Sequence, residues 1–194
     1  WRLPVRWIRV PLLLGPLLGY ALGRLDRGEL KGAVLYLLFA GLDRARVDAW
    51  ADSHVERTRR REMLPDAVAA LEGHLAAGDH VVLLSASPDL YVPRLARALG
   101  AHEAHCTAIR WQGEQLDGRL AGPNRRDAEK VRVLEALRAA HPGLPVIAYG
   151  NSTPDLPHMR LCEEAVYVNP SPARAAELAR EGIRCVHWGS AGSR

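Results

Sequence analysis

Two short segments of this 194-residue chain place small polar residues directly behind apolar runs. Leu144-Pro145-Val146-Ile147-Ala148 leads into Tyr149-Gly150-Asn151-Ser152-Thr153-Pro154-Asp155, and Val81-Val82-Leu83-Leu84 leads into Ser85-Ala86-Ser87. Such a pattern reads as a buried strand carrying polar groups to the carboxyl edge of a parallel sheet, where open α/β proteins bind ligands. A Ser85 hydroxyl and the backbone N–H groups of Ala86 and Ser87 suit phosphoryl oxygens. The oxygens of Asn151 and Asp155 suit a hard cation such as Mg²⁺. Plainer readings stand beside these: Ser85 and Asp155 both fit helix caps, and Gly150-Asn151 is a common turn pair.

Lys130, in Pro123-Asn124-Arg125-Arg126-Asp127-Ala128-Glu129-Lys130, is one of two lysines against 24 arginines. Where basic positions default to Arg, a Lys is a compact point charge, suited to the negative charge that gathers during phosphoryl transfer. Its plain alternative is a solvated helix residue paired with a nearby Glu. Asn124 and Arg125, just upstream, are further candidates for ligand contact. His74, His80, His102 and His105 show no metal-ligand spacing and read as surface or core residues. His158 has no such spacing either, but it lies near enough to the 150–155 loop in sequence to meet a ligand. The run Arg57-Thr58-Arg59-Arg60-Arg61 reads as a solvated face.

The elements that position these residues fall into two textures. Residues 1–75 read as helical, with an apolar stretch from Ala21 to Leu42 that gathers Arg24, Asp26, Arg27, Glu29 and Lys31 in one patch, a charged amphipathic helix from Asp43 to Arg61, and a helix opening at Leu64-Pro65-Asp66 and stopped by Gly78. Residues 76–194 alternate strand and helix. Strands are expected over 81–85, 146–150, 165–168 and 184–188, with a strand pair over 104–111 and 116–120. Helices are expected over 89–99, 126–140, 156–162 and 173–180. This alternation predicts an α/β fold with a Rossmann-like parallel sheet covered by helices on both faces, preceded by a helical region.

Three pieces in this order resemble the haloacid dehalogenase-like superfamily, in its phosphoserine-phosphatase-like branch with a helical cap. They are Val82-Leu83-Leu84-Ser85, Lys130, and the acidic loop Gly150 to Asp155. The resemblance covers about residues 64–188. It implies a Mg²⁺-dependent phosphomonoesterase with residues 1–75 as cap and 76–194 as a partial core. It also implies that Ser85 and Lys130 act on the phosphoryl group, with Ala86, Ser87 and Asn124 as further substrate contacts. Asn151 would face the metal, and Asp155 would support the metal shell or the Lys. The family's first motif, DxDx[TS], supplies the nucleophilic Asp on a central strand and is not matched here. The aspartyl-phosphate route needs that carboxylate. Loss of its strand leaves apolar inner edges unpaired, so the chain alone is expected to be poorly stable. A non-catalytic phospholigand-binding remnant is the alternative.

Composition sets the outer bounds. Hydrophobic content of 48% with 25% charged residues describes a folded chain. A net charge of +4 suits anionic small-molecule or lipid phosphate esters but lacks the dense basic stripe of a nucleic-acid binder. Cys106, Cys162 and Cys185 fit reduced thiols. Arg6 to Leu22 imitates a signal peptide without a small-residue cleavage site, and neither apolar run suits a bilayer span. A cytoplasmic protein is expected. Peripheral membrane contact through Trp1, Trp7 and the Leu-rich front is the third reading.

Overall fold

A computed structural model describes residues 7–189. It shows an α/β fold with helices first and parallel strands after. A 3-10 helix (Trp7–Leu13) precedes α1 (Leu14–Ala21), α2 (Arg27–Phe39), α3 (Arg44–Arg61) and α4 (Pro65–Ala77). Then follow β1 (Val82–Pro88), α5 (Val92–Ala98), β2 (Glu103–Thr107), β3 (Ile109–Gln112) and β4 (Gln115–Leu120). The remainder is α6 (Ala128–Ala140), β5 (Ile147–Gly150), α7 (Leu156–Met159), β6 (Glu164–Val168), α8 (Pro172–Arg180) and β7 (Arg184–Val186). Local chemistry sets the boundaries. Asp26 and Glu29 form a reciprocal capping box that starts α2, and Gly78 ends α4 at φ 82°.

The chain divides into two compact units, residues 1–60 with 80–125, and residues 61–79 with 126–194. In the first, β1 and β2 pair in parallel while β3 and β4 form an antiparallel hairpin turned at Gly113. The expected single strand over 104–111 is therefore two strands in two different sheets. The break falls at Thr107 and Ala108, where the chain leaves the parallel pair. Helix α5 starts at Val92 rather than Asp89, because the Asp89 N–H bonds the Thr107 carbonyl and its carboxylate accepts the Ile109 N–H. The core of this unit gathers Leu42, Val47, Leu90, Ile109 and Leu116, with Leu35, Phe39 and Trp111 against it.

In the second unit, β5, β6 and β7 form a parallel sheet. Ala148, Leu156, Met159, Tyr167, Leu178 and Ile183 form its core. Among the described residues β1 pairs with β2 alone and β5 with β6 alone, so each has one edge without a strand partner. Ile147 and Tyr149 of β5 are exposed.

Helix α2 lies against β4 at backbone distance. Gly118 has φ 88°, and a Cβ there would stand 2.9 Å from the Leu35 carbonyl carbon and oxygen and from the Tyr36 nitrogen. Backbone cannot yield as a side-chain tip can. Gly118→Ala is expected to cost on the order of 2 kcal/mol, from the strained φ and the lost approach of α2. A urea melt that leaves the midpoint unchanged would contradict this packing.

Candidate functional site

Ser85, Ala86 and Ser87 fall where β1 loses register. Leu84 pairs with His105, but the next matched pair is Pro88 with Thr107. The irregular stretch turns backbone groups out of the ladder, a device common beside binding sites. The Ser85 hydroxyl accepts the Ser87 N–H at 3.1 Å. The fully buried Thr107 hydroxyl lies 2.7 Å from the Ala86 carbonyl and 3.2 Å from Asn124 Oδ1, sharing one proton between them. It accepts the Arg125 N–H at 3.2 Å. Asn124 is thus locked beside the Ser85–Ser87 segment within the same unit.

Lys31 completes this cluster. It projects from α2, and its ammonium donates to the Ala86 carbonyl at 2.6 Å and to Asn124 Oδ1. The approach depends on Gly28, whose Cβ position would lie 3.0 Å from Asn124 Cβ, and on Gly32 against Leu120. The sequence pattern places Lys31 in a charged patch that interrupts an apolar run and does not by itself point to these acceptors. A signal was present, since Lys31 and Lys130 are the two exceptions to arginine usage and Gly28, Lys31 and Gly32 share one helix face.

Lys130, Asn151 and Asp155 belong to the second unit. Lys130 is the third residue of α6, and its ammonium bonds Asp155 Oδ1 at 2.5 Å, with both side chains about nine-tenths buried. The other oxygen of Asp155 accepts the Ser152 hydroxyl at 2.6 Å and the N–H groups of Ser152 and Asn151 at 3.1 and 3.3 Å. Burial opposes ionisation of Asp155, but the bonds from Lys130 and Ser152 and the Lys130 charge outweigh it and lower its pKa. Gly150 makes the turn possible, because a Cβ there would meet Met159 Sδ at 2.6 Å and Asp155 Cβ at 2.8 Å. Upstream of Lys130, Asp127 sits at φ 49° and ψ −117°, and the Glu129 N–H bonds the Arg126 carbonyl at 3.0 Å. This is a type II′ turn, whose first central position ordinarily takes Gly.

His158 is buried one turn beyond Asp155, and its Nδ1 has no hydrogen-bond partner among the described residues. Burial, then the Lys130 charge, push its pKa from 6.5 down to about 4, with Asp155 opposing. The imidazole is neutral at pH 7, so it adds no second positive charge beside Lys130.

The donor set on this loop falls short of a Mg²⁺ site. The exposed Asn151 side chain offers one neutral oxygen, and both oxygens of Asp155 already accept protein hydrogens. Mg²⁺ asks for one or two carboxylates as well as water. The loop chiefly fixes a buried ammonium at the carboxyl end of β5.

Comparison with known proteins gives this arrangement its relatives. Residues 5–160 match the family described as haloacid dehalogenase-like hydrolase. Protein CicA of Caulobacter vibrioides is 34% identical over 169 residues, which cover 86% of this chain and 75% of that protein. Phosphoserine phosphatase SerB1 of Mycobacterium tuberculosis is 35% identical over 111 residues, 56% of this chain and 35% of that protein. Among solved structures, a probable phosphoserine phosphatase from Vibrio cholerae superposes with a TM-score of 0.73 at 14% identity, covering 93% of this chain and 53% of that one.

Removing Lys130 would leave a carboxylate buried without its cation. Lys130→Met is expected to cost about 3 kcal/mol, and the double variant Lys130→Met/Asp155→Asn to cost clearly less than the two single losses combined. Urea denaturation of the four proteins measures this, and strict additivity would deny the coupling.

His158 gives a pH signature. The unfolded chain binds its proton near 6.5 and the folded one near 4, so stability is complete above about 6.5 and falls as pH drops towards 4. The total loss is on the order of 2–3 kcal/mol. Urea midpoints from pH 7 to pH 4 should show this slope, and His158→Leu should flatten it.

Proposed function

The chain belongs to the haloacid dehalogenase-like hydrolase family, and on that premise we propose that it works on phosphomonoesters. The observation that carries this reading is the buried Lys130 ammonium, held by Asp155 directly behind a parallel strand. A cation fixed in a water-poor setting needs no reorganisation to meet phosphoryl charge. In this reading Lys130 offsets that charge. Ser85, with the N–H group of Ala86, and Asn124 contact the phosphoryl oxygens, and Ser87 orients the Ser85 hydroxyl through its own N–H. Asn151 brings only one neutral oxygen towards a cation, so this reading assigns no step to Mg²⁺ on this loop. The helices of residues 1–75 select the substrate, and an apolar front with arginines favours a lipid or other large organic phosphate over a phosphorylated amino acid.

The nucleophile is the open element. The sequence carries no DxDx[TS] motif, and the aspartyl-phosphate route requires one. The second reading is a phospholigand-binding chain that holds phosphate without turning it over.

Both readings are tested together by thermal shift with orthophosphate and by hydrolysis of p-nitrophenyl phosphate with Mg²⁺. A phosphate-dependent rise in melting temperature that Lys130→Met loses supports phosphate recognition. Turnover added to that rise selects the hydrolase, and a rise without turnover selects the binding chain. No response to phosphate at any accessible concentration would sink both.

A further inference from the structure

The net charge of this chain has an unusual address. Residues 1–25 contain four arginines, at positions 2, 6, 9 and 24, and no Asp or Glu. The chain has 26 basic and 22 acidic residues in all, so beyond position 25 they balance at 22 each. The whole formal charge of +4 therefore belongs to this one stretch.

The same stretch carries an exposed apolar face. The 3-10 helix and α1 run on from one another across residues 7–21 and pack against α2. Leu13, Pro16 and Gly19, spaced by three, are partly buried, and the Cβ position of Gly19 lies 3.1 Å from the Leu25 side chain. Val10, Leu14, Leu17 and Leu18, spaced i, i+4, i+7 and i+8, point away. Leu14 is 71% exposed, Leu18 60%, Leu12 59%, Leu22 58% and Leu17 48%. Single exposed leucines need no explanation, but five within eleven residues form a patch that marks an interaction site.

We propose that this face lies on an anionic lipid surface. Charge selects that partner. A second copy of the chain would bring a concentrated positive stretch against its like, whereas an anionic bilayer complements it. No helix among the described residues is long and apolar enough to cross a membrane. Pro11 and Pro16 interrupt the segment as well. The segment therefore lies in the interface, with leucines towards the acyl boundary and arginines at the headgroups. Arg9 stands before the apolar face, and the exposed Arg24 follows it. Trp1, Arg2 and Arg6 lie outside the described residues and enter only through their charge and composition. The inference is independent of phosphate chemistry, since it concerns attachment rather than turnover.

Flotation with vesicles tests it, using phosphatidylcholine alone and phosphatidylcholine mixed with phosphatidylglycerol. The expected result is flotation with the anionic vesicles, weaker flotation with the neutral ones, and release by high salt. Leu14→Gln/Leu17→Gln/Leu18→Gln should stay in the dense fraction while keeping the parent's far-UV circular dichroism and melting temperature. Arg9→Gln/Arg24→Gln should lower the partition onto anionic vesicles by on the order of tenfold. Failure of the parent chain to float with anionic vesicles overturns the proposal, and so does equal flotation of the leucine variant. A dimer in sedimentation equilibrium that the leucine variant converts to monomer would assign the face to a second copy and overturn it too.

Discussion

The second unit depends on one buried ion pair. Lys130 opens α6 and Asp155 closes the turn behind β5, so their contact ties the helix to the sheet edge. Two charges removed from water stabilise a fold only when their remaining hydrogen-bonding capacity is met. Ser152 and the N–H groups of the loop do this for Asp155. The pair then constrains its neighbours. Gly150 must lack a side chain so that the loop can fold back, and His158 must stay neutral so that no further cation is buried.

The first unit solves a related problem with a different set of groups. Lys31 reaches from a helix to a backbone carbonyl and an amide oxygen, and the buried Thr107 hydroxyl ties those same acceptors together. The glycines that let α2 approach thereby bring a charge from the helical front to the irregular end of a strand. In this unit the helical front and the Ser85–Ser87 segment are therefore joined by contacting residues.

Much of this was legible in the sequence, for identifiable reasons. The strand end at Gly150 showed itself because an apolar run gives way abruptly to a polar tail, whereas β1 runs past the expected end at Ser85 to Pro88, with its register lost after Leu84. Gly78 announced the end of α4 because only a residue without Cβ takes that left-handed position easily. The division at Thr107 was not legible, since two consecutive strands in different sheets share one unbroken β-like pattern. The role of Asp155 was left between metal and Lys because spacing alone does not say which donors reach a carboxylate. Lys31 escaped because its acceptors are 55 and 93 residues away, on elements that only folding brings together.

The scarcity of lysine has a practical side. With Lys31 and Lys130 the sole lysines, side-chain acylation has two addresses, one in each compact unit. Both amines are engaged in hydrogen bonds, so their reactivity reports how often those contacts open. Mass-spectrometric labelling can therefore follow local opening of the two clusters separately in unmodified protein, with no engineered probe.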